Sequence, residues 1–298
     1  MIVAVDTGFG ETKAVNSHGK EMKFRSEFSI YDDRFVLPGV NGKVKIIEHD
    51  GKKFVVGQEV EKTGGTAVTM SDVDSLIEYS PVFLQNVKAR IGMSEDDTVA
   101  VGLPLGAMDR RDELKRRLKK VFPNNIIVCA QGMGIYLDAE VQDAVVIDVG
   151  QNTVDIFVGE KGKIVREESD FYLNAGISQI VNKLHRYIQT KYELNLSIPE
   201  LQQALRTKKQ PAMGQTVDLK DIISDLSADY STALLQRITT QYAQRLRKVE
   251  RIIVAGGGAY YLNVKGNKFS GLVMVPEKPE FANARGFVKI AKKLTGGN

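Results

Sequence analysis

Cysteine is almost absent from this chain: Cys129 stands alone among 298 residues. No internal disulfide can form, and the composition suits a reducing compartment. Histidine is nearly as rare. His18, His49 and His185 are scattered without ligand spacing, and Cys129 sits in an apolar run, so neither a zinc site nor a cysteine nucleophile is expected. Tryptophan is missing, prolines number 8, and no low-complexity tract points to a disordered tail. No uncharged apolar stretch approaches the roughly 18 residues of a membrane span. Met1 leads directly into the apolar run at residues 2–5, without the charged region and apolar core of a secretory leader. A cytoplasmic protein with no direct membrane association is therefore expected.

An excess of either charge is also lacking, since 41 Lys and Arg face 37 Asp and Glu for a net +4. A nucleic-acid face needs about six to ten phosphate contacts, and only residues 109–120 are densely basic. Within that run Leu114, Leu118 and Val121 fall on one helical face, so it reads as a solvated amphipathic helix.

What is present is a repeated pattern of short apolar runs. The length exceeds the roughly 100–200 residues of one domain, so two halves are expected. Residues 2–5 stop at Asp6 and Gly8, residues 144–147 at Asp148 and Gly150, and residues 252–255 at Gly256, Gly257 and Gly258. Residues 98–101 and 126–129 have the same character. Such runs are too short for helices and read as strands buried on both faces. Between them, Ile177, Ile180, Val181, Leu184 and Ile188 recur at helical spacing, as do Leu234, Ile238, Tyr242, Leu246 and Val249. Alternating strands and helices imply an α/β fold with parallel or mixed sheets covered on both sides. Residues 43–56 alternate about Asp50-Gly51 and predict a small hairpin subdomain; residues 208–214, rich in Lys, Gln, Pro and Gly, predict a loop.

Two strand-turn segments form a weak internal repeat. Residues 3–13 and 146–155 both read apolar strand, Asp, spacer, Gly, then a new strand. An Asp at a strand's end can hold the water shell of Mg²⁺, while the glycine lets turn N–H groups approach phosphate oxygens. One Asp-x-Gly alone makes a tight turn in many β-rich proteins. Two of them, with three glycines after a further buried strand, point to a clamp on a polyphosphate.

These motifs resemble the actin-like ATPases, and specifically the bacterial plasmid-segregation branch called ParM or StbA. Residues 6–13 look like its phosphate-1 loop, 148–155 like phosphate-2 and 254–258 like the adenosine motif. Residues 130–136 and 281–287 are similar to its two connecting helices. The resemblance implies an actin-like, ribonuclease H-like two-domain ATPase fold with nucleotide in the interdomain cleft. It implies ATP as ligand, with GTP an alternative, and Mg²⁺ held through water by Asp6 and Asp148. Asp148 would also lie near the attacking water, which Gln131 would position. Thr7, Gly8, Phe9, Gly10, Thr12 and Lys13 would bind phosphates from the first half, and Gly150, Gln151, Asn152 and Thr153 from the second. Gly176 would let a helix approach the nucleotide, and Gly256, Gly257 and Gly258 would meet adenosine and the α-phosphate. Glu11 departs from the family pattern by placing an anion in the phosphate-1 loop, so its side chain is expected to point away from the nucleotide.

The implied organisation is a first actin-like domain over 1–147 with an insertion at about 24–56, a second over 148–280, and a helix over 281–298 returning to the first. The implied activity is Mg-dependent hydrolysis of the γ-phosphate by a filament-forming protein that segregates plasmid DNA. By that resemblance ATP would close the cleft and favour polymerisation, and hydrolysis would destabilise the filament. Its partners would be further copies of itself and an adaptor bound to centromere-like plasmid DNA. Alternatives are another bacterial or archaeal actin-like cytoskeletal protein, or a monomeric actin-fold phosphotransferase.

Overall fold

The computed structural model describes residues 1–32, 34, 44–123, 125–264 and 269–296. Two sheets built to one plan organise the chain. In the first, the spatial order is Glu21–Arg25, Glu11–Asn16, Ile2–Thr7, Thr98–Leu103, Ile126–Ala130. The first three strands form an antiparallel meander, and the last two are added in parallel. The second repeats it: Lys163–Ile164, Thr153–Glu160, Ala144–Val149, Arg251–Ala255, Val273–Met274, with Asp170–Leu173 also paired to Thr153–Glu160. The central strands have no wet face, and this makes them continuous apolar runs.

Alternation along those strands decides what covers each face. Val3, Val5, Val99 and Val101 pack under the helices Val73–Ile91 and Arg111–Leu118, whereas Ala4 and Ala100 face the helix Ala282–Thr295 through Phe287 and Ala291. Alanine on that face lets the helix sit close to the sheet. In the second sheet Val145, Ile147, Ile252 and Val254 face the helices Ser178–Tyr192 and Lys220–Gln241, and Val146, Ile253 and Ala255 face the helix Met133–Asp138. The cover is thus exchanged. The helix that follows the last strand of the first sheet lies on the second sheet, and the C-terminal helix lies on the first.

The two helices cross with their backbones in close approach at Gly134 and Gly286. A Cβ on Gly286 would overlap the carbonyl oxygen of Gly134, and one on Gly134 would overlap that of Asn283. Outside the crossing, Arg285 donates to Asp138 at 2.7 Å and Lys289 to Glu140 at 2.7 Å. A bare backbone crossing flanked by solvated ion pairs has the build of a pivot between two lobes.

The hairpin about Asp50-Gly51 is present as Ile46–His49 against Lys52–Val56; Lys43, and residues 35–42 of the expected insertion, lie outside the described residues. Glu27–Ile30 and Val68–Thr69 complete that sheet, so it reaches past residue 56. Residues 208–214 are not a plain loop. Lys209–Ala212 and Gln215–Asp218 form an antiparallel hairpin whose turn is Met213-Gly214. The basic run holds the helix Arg111–Leu118 with Leu114 and Leu118 buried, and Val121 packs just beyond its end. No described helix is long and apolar enough to cross a membrane.

Candidate functional site

The strand Ile2–Thr7 ends in a turn closed by Gly8 N–H donating to Glu11 O at 3.1 Å. Its counterpart after Ala144–Val149 is closed by Gly150 N–H donating to Thr153 O at 2.9 Å. Turns of this kind aim the intervening N–H groups at an anion. The two turns face each other across the lobes, for a Cβ on Gly10 would meet the side chain of Gln151 at 3.0 Å. One cavity runs along both. Asp6, Thr7, Gly8, Phe9, Gly10 and Lys13 line it from the first lobe, and Asp148, Gly150, Gln151 and Thr153 from the second. Gln131 and Gly256, Gly257 and Gly258 complete the predicted lining. Three predicted residues lie elsewhere. The Thr12 hydroxyl is buried against the Ser26 hydroxyl at 2.9 Å, Asn152 lines a neighbouring cavity, and Gly176 stands behind the second turn. There Gly176, Ile177 and Ser178 donate their N–H groups to the carbonyls of Asn152, Gly150 and Gln151, bracing the turn from outside.

Side chains at the strand ends form a linked set. Gln131 Nε2 donates to Asp6 Oδ1 at 2.7 Å, and Asn283 Nδ2 donates to Asp148 Oδ2 at 2.7 Å. Antiparallel register sets Asp6 beside Lys13 and, at the matching position, Asp148 beside Asp155. The strand ends therefore set three carboxylates, those of Asp6, Asp148 and Asp155, beside one ammonium, that of Lys13. Asp155 is 3% exposed and its Oδ1 has no hydrogen-bond partner, as is also true of Thr7 Oγ1. Such a donor set calls for a cation.

Burial, then the charge of Asp6, pushes the Asp148 carboxyl up to about 7 against the opposing Asn283 bond and Lys13. Burial also raises Asp6, and burial with the Asp148 charge raises Asp155. A carboxyl raised in the folded state favours folding only while protonated. Its contribution is complete below the unfolded value of about 3.9 and is lost as pH rises through 7. Asp148→Asn is therefore expected to match the parent chain in urea midpoint near pH 4 and to exceed it above pH 7. The gain should be at most about 4 kcal/mol; identical midpoints at pH 8 would remove the buried-charge account.

Gly256 is the glycine whose backbone demands it. Its φ is +81°, and a Cβ there would overlap Asp148 Oδ1, whereas Gly257 has open space before it. At the same end of the cavity stand Gln202, Leu205 and Arg206, on one face of the helix Ile198–Thr207, with Tyr261. These carry no sequence motif, and helical spacing of i, i+3, i+4 was the only available signal. Asp155 had a signal: a shift of 142 residues maps Asp6 onto Asp148 and Lys13 onto Asp155. Asn283 lies in the stretch that resembles the second connecting helix, but no pattern gave its role, because its partners lie across the fold.

Glu11 corrects an expectation. It lines the cavity instead of pointing away, because Arg206 stands opposite, its Nη1 at 3.4 Å from Glu11 Oε1. The pair joins the two lobes. With Arg206 half exposed it is worth about 0.2–1 kcal/mol. Glu11→Arg is expected to weaken nucleotide binding less than tenfold at low salt, and adding Arg206→Glu to restore it. A titration with fluorescent ATP should show the coupling fade near 1 M salt, where the Debye length is about 3 Å.

Sequence comparison places these features among known proteins. Residues 4–147 match the family described as actin like proteins, N terminal domain, and residues 146–266 the family described as archaeal actin homologue MreB-like, C-terminal. The archaeal actin homologue of Thermoplasma volcanium is 23% identical, over 98% of this chain and 99% of its own length. Among solved structures, an archaeal actin homologue superposes with a TM-score of 0.81 at 20% identity, over 99% of both chains. Its complex with ADP gives 0.78 at 20% identity, over 98% of this chain and 99% of that one. A subunit of a 15-stranded ParM filament from Clostridium botulinum gives 0.77 at 22% identity, over 98% and 99%.

Proposed function

Because the chain belongs to the actin-like protein family, we propose that it is an ATPase that assembles into filaments under nucleotide control. The observation that carries this reading is the pair of matching Asp-to-glycine turns facing one cavity from opposite lobes. ATP is the proposed ligand, with GTP the alternative, and the ADP complex of the archaeal homologue supports a nucleotide in such a cleft. The N–H groups of both turns and the Lys13 ammonium would hold the phosphates. Gly256, Gly257 and Gly258 would meet the α-phosphate and adenosine, beside Gln202, Arg206 and Tyr261.

The residues at the strand ends fit Mg²⁺, given the carboxylates of Asp6, Asp148 and Asp155 beside the single Lys13 ammonium and the unpartnered Asp155 Oδ1. Among the described residues no three of His, Cys, Asp and Glu converge to ligate a metal directly, so Asp6 and Asp148 would hold the ion through its waters. Bound there, it would neutralise charge on the transferred phosphoryl group. Gln131 keeps its Nε2 on Asp6 and offers Oε1 to a proton of the attacking water. In-line attack needs a held nucleophile more than a strong base, so a neutral amide is adequate.

Contacts to the γ-phosphate from both lobes would exist only with ATP bound, so nucleotide state becomes lobe angle about the glycine crossing. A head-to-tail interface that does not close on itself turns that angle into filament growth or loss. The fold likeness to a ParM filament subunit supports self-assembly; in the reading proposed, the filaments work in the cytoplasm and move plasmid copies through an adaptor on centromere-like DNA. The archaeal relatives favour a second reading, a cytoskeletal filament with another cargo.

Right-angle light scattering with Mg-ATP, Mg-ADP or no nucleotide, followed by negative-stain imaging, tests the proposal. A rise confined to ATP, with filaments on the grid, is expected. Hydrolysis without polymer would overturn assembly and favour a monomeric phosphotransferase. Filaments that co-sediment a DNA-bound protein would support segregation over the second reading.

A further inference from the structure

Asn283 is 3% exposed and lies one turn before Gly286 on the helix Ala282–Thr295, at the crossing of the two connecting helices. Both ends of its amide are used. Nδ2 donates to Asp148 Oδ2 at 2.7 Å, and Oδ1 accepts the N–H of Gly132 at 2.9 Å. A carboxylate on one side and an N–H on the other admit only this orientation of the amide. Asp148 ends a strand of the second sheet, and Gly132 opens the helix that lies on that sheet. Asn283 itself rides on a helix packed against the first sheet. The bonds to Asp148 and Gly132 therefore run from one lobe to the other, at the pivot and at the carboxylate facing the cavity, while the amide also reaches Asp6 of the first lobe.

We propose that Asn283 is a positioning residue that couples occupancy of the cleft to the lobe angle by tying Asp148 to the pivot. The planar amide cannot turn to follow Asp148 without releasing Gly132. Reorientation of Asp148 toward a bound Mg-nucleotide is thereby carried into the start of the connecting helix. Without the amide, Asp148 meets the ligand and the pivot receives nothing. The inference rests on the proposal above that nucleotide closes the cleft.

The test reads binding and closure in the same molecules. Cys129 is buried, and its thiol is pushed up to about 12, so it should resist labelling. Ile30 and Met213, 59% and 83% exposed on opposite lobes, are replaced by Cys and labelled for distance measurement, and fluorescent ATP reports affinity. The parent pair is expected to shorten its distance with Mg-ATP. In Asn283→Ala the affinity should stay within about threefold while the distance change falls below half. Asn283→Asp keeps the shape and the acceptor for Gly132 but sets an anion against Asp148; it should uncouple in the same way and decides the matter if the alanine variant does not fold. Full closure in the folded variants at unchanged affinity overturns the role of Asn283 alone. A parent chain that binds without moving, or does not bind, overturns nucleotide-driven closure and this inference with it.

Discussion

Under the proposed reaction, Asp148→Asn should lower ATP turnover by at least about 100-fold while nucleotide still binds, because it would remove the charge assigned to the metal's water shell and leave the two glycine turns intact. The substitution is isosteric and keeps a partner for Asn283. Its cavity-side effect is the loss of an anion for the metal's water shell and the attacking water. In that proposal Lys13, the turn amides and the glycines after the third strand would still supply ground-state binding, so affinity should change by less than about tenfold. Phosphate release at saturating Mg-ATP measures the first number and fluorescent-ATP titration the second. Turnover within threefold of the parent would show that the reaction does not use Asp148. The same variant should be the more stable protein above pH 7, since the carboxyl is pushed up to about 7 by burial and Asp6. A stabilised but inactive protein is the signature of a carboxylate kept for chemistry.

Gly286→Ala should be the most damaging single methyl in the chain. The added Cβ would overlap the carbonyl oxygen, carbonyl carbon and Cα of Gly134, all backbone atoms that no rotamer change can clear. Overpacking commonly costs about 1–3 kcal/mol, and more where the backbone must move. Separation of these helices would also disturb Phe287 and Ala291 on the first sheet and Ile135 and Tyr136 on the second. A loss of at least about 3 kcal/mol in chemical denaturation, or failure to accumulate as folded protein, is expected. Gly257→Ala is the control, with nothing within 4 Å of its Cβ and an expected change below about 0.5 kcal/mol. Equal stabilities for the two variants would mean that the crossing is looser than described.

Much of this architecture could be read in advance. Strands buried on both faces must be apolar throughout, so residues 2–5, 144–147 and 252–255 announced themselves, with the Asp and Gly that end them. The helical spacing of Ile180, Val181, Leu184 and Ile188 reports one buried face of Ser178–Tyr192. Residues 208–214 misled because composition marks a turn without saying whether the flanking residues pair; Lys209–Ala212 and Gln215–Asp218 do. Glu11 misled because an anion beside phosphates is unfavourable in isolation, and Arg206, 195 residues away, changes the local charge. Thr12 looked like a phosphate ligand but points across its strand to Ser26.

The sequence alone determined which segments would be central strands, the two turns that carry Asp6 and Asp148, and the glycines after the third strand, because each is a local requirement of burial or backbone conformation. Tertiary structure decided the rest: that the two turns face each other, that Asp155 joins them with Oδ1 unpartnered, that the connecting helices exchange lobes at Gly134 and Gly286, and that Asn283 spans the pivot. Those outcomes depend on groups more than a hundred residues apart meeting at a few ångströms, and a local pattern of residue types contains no such distance.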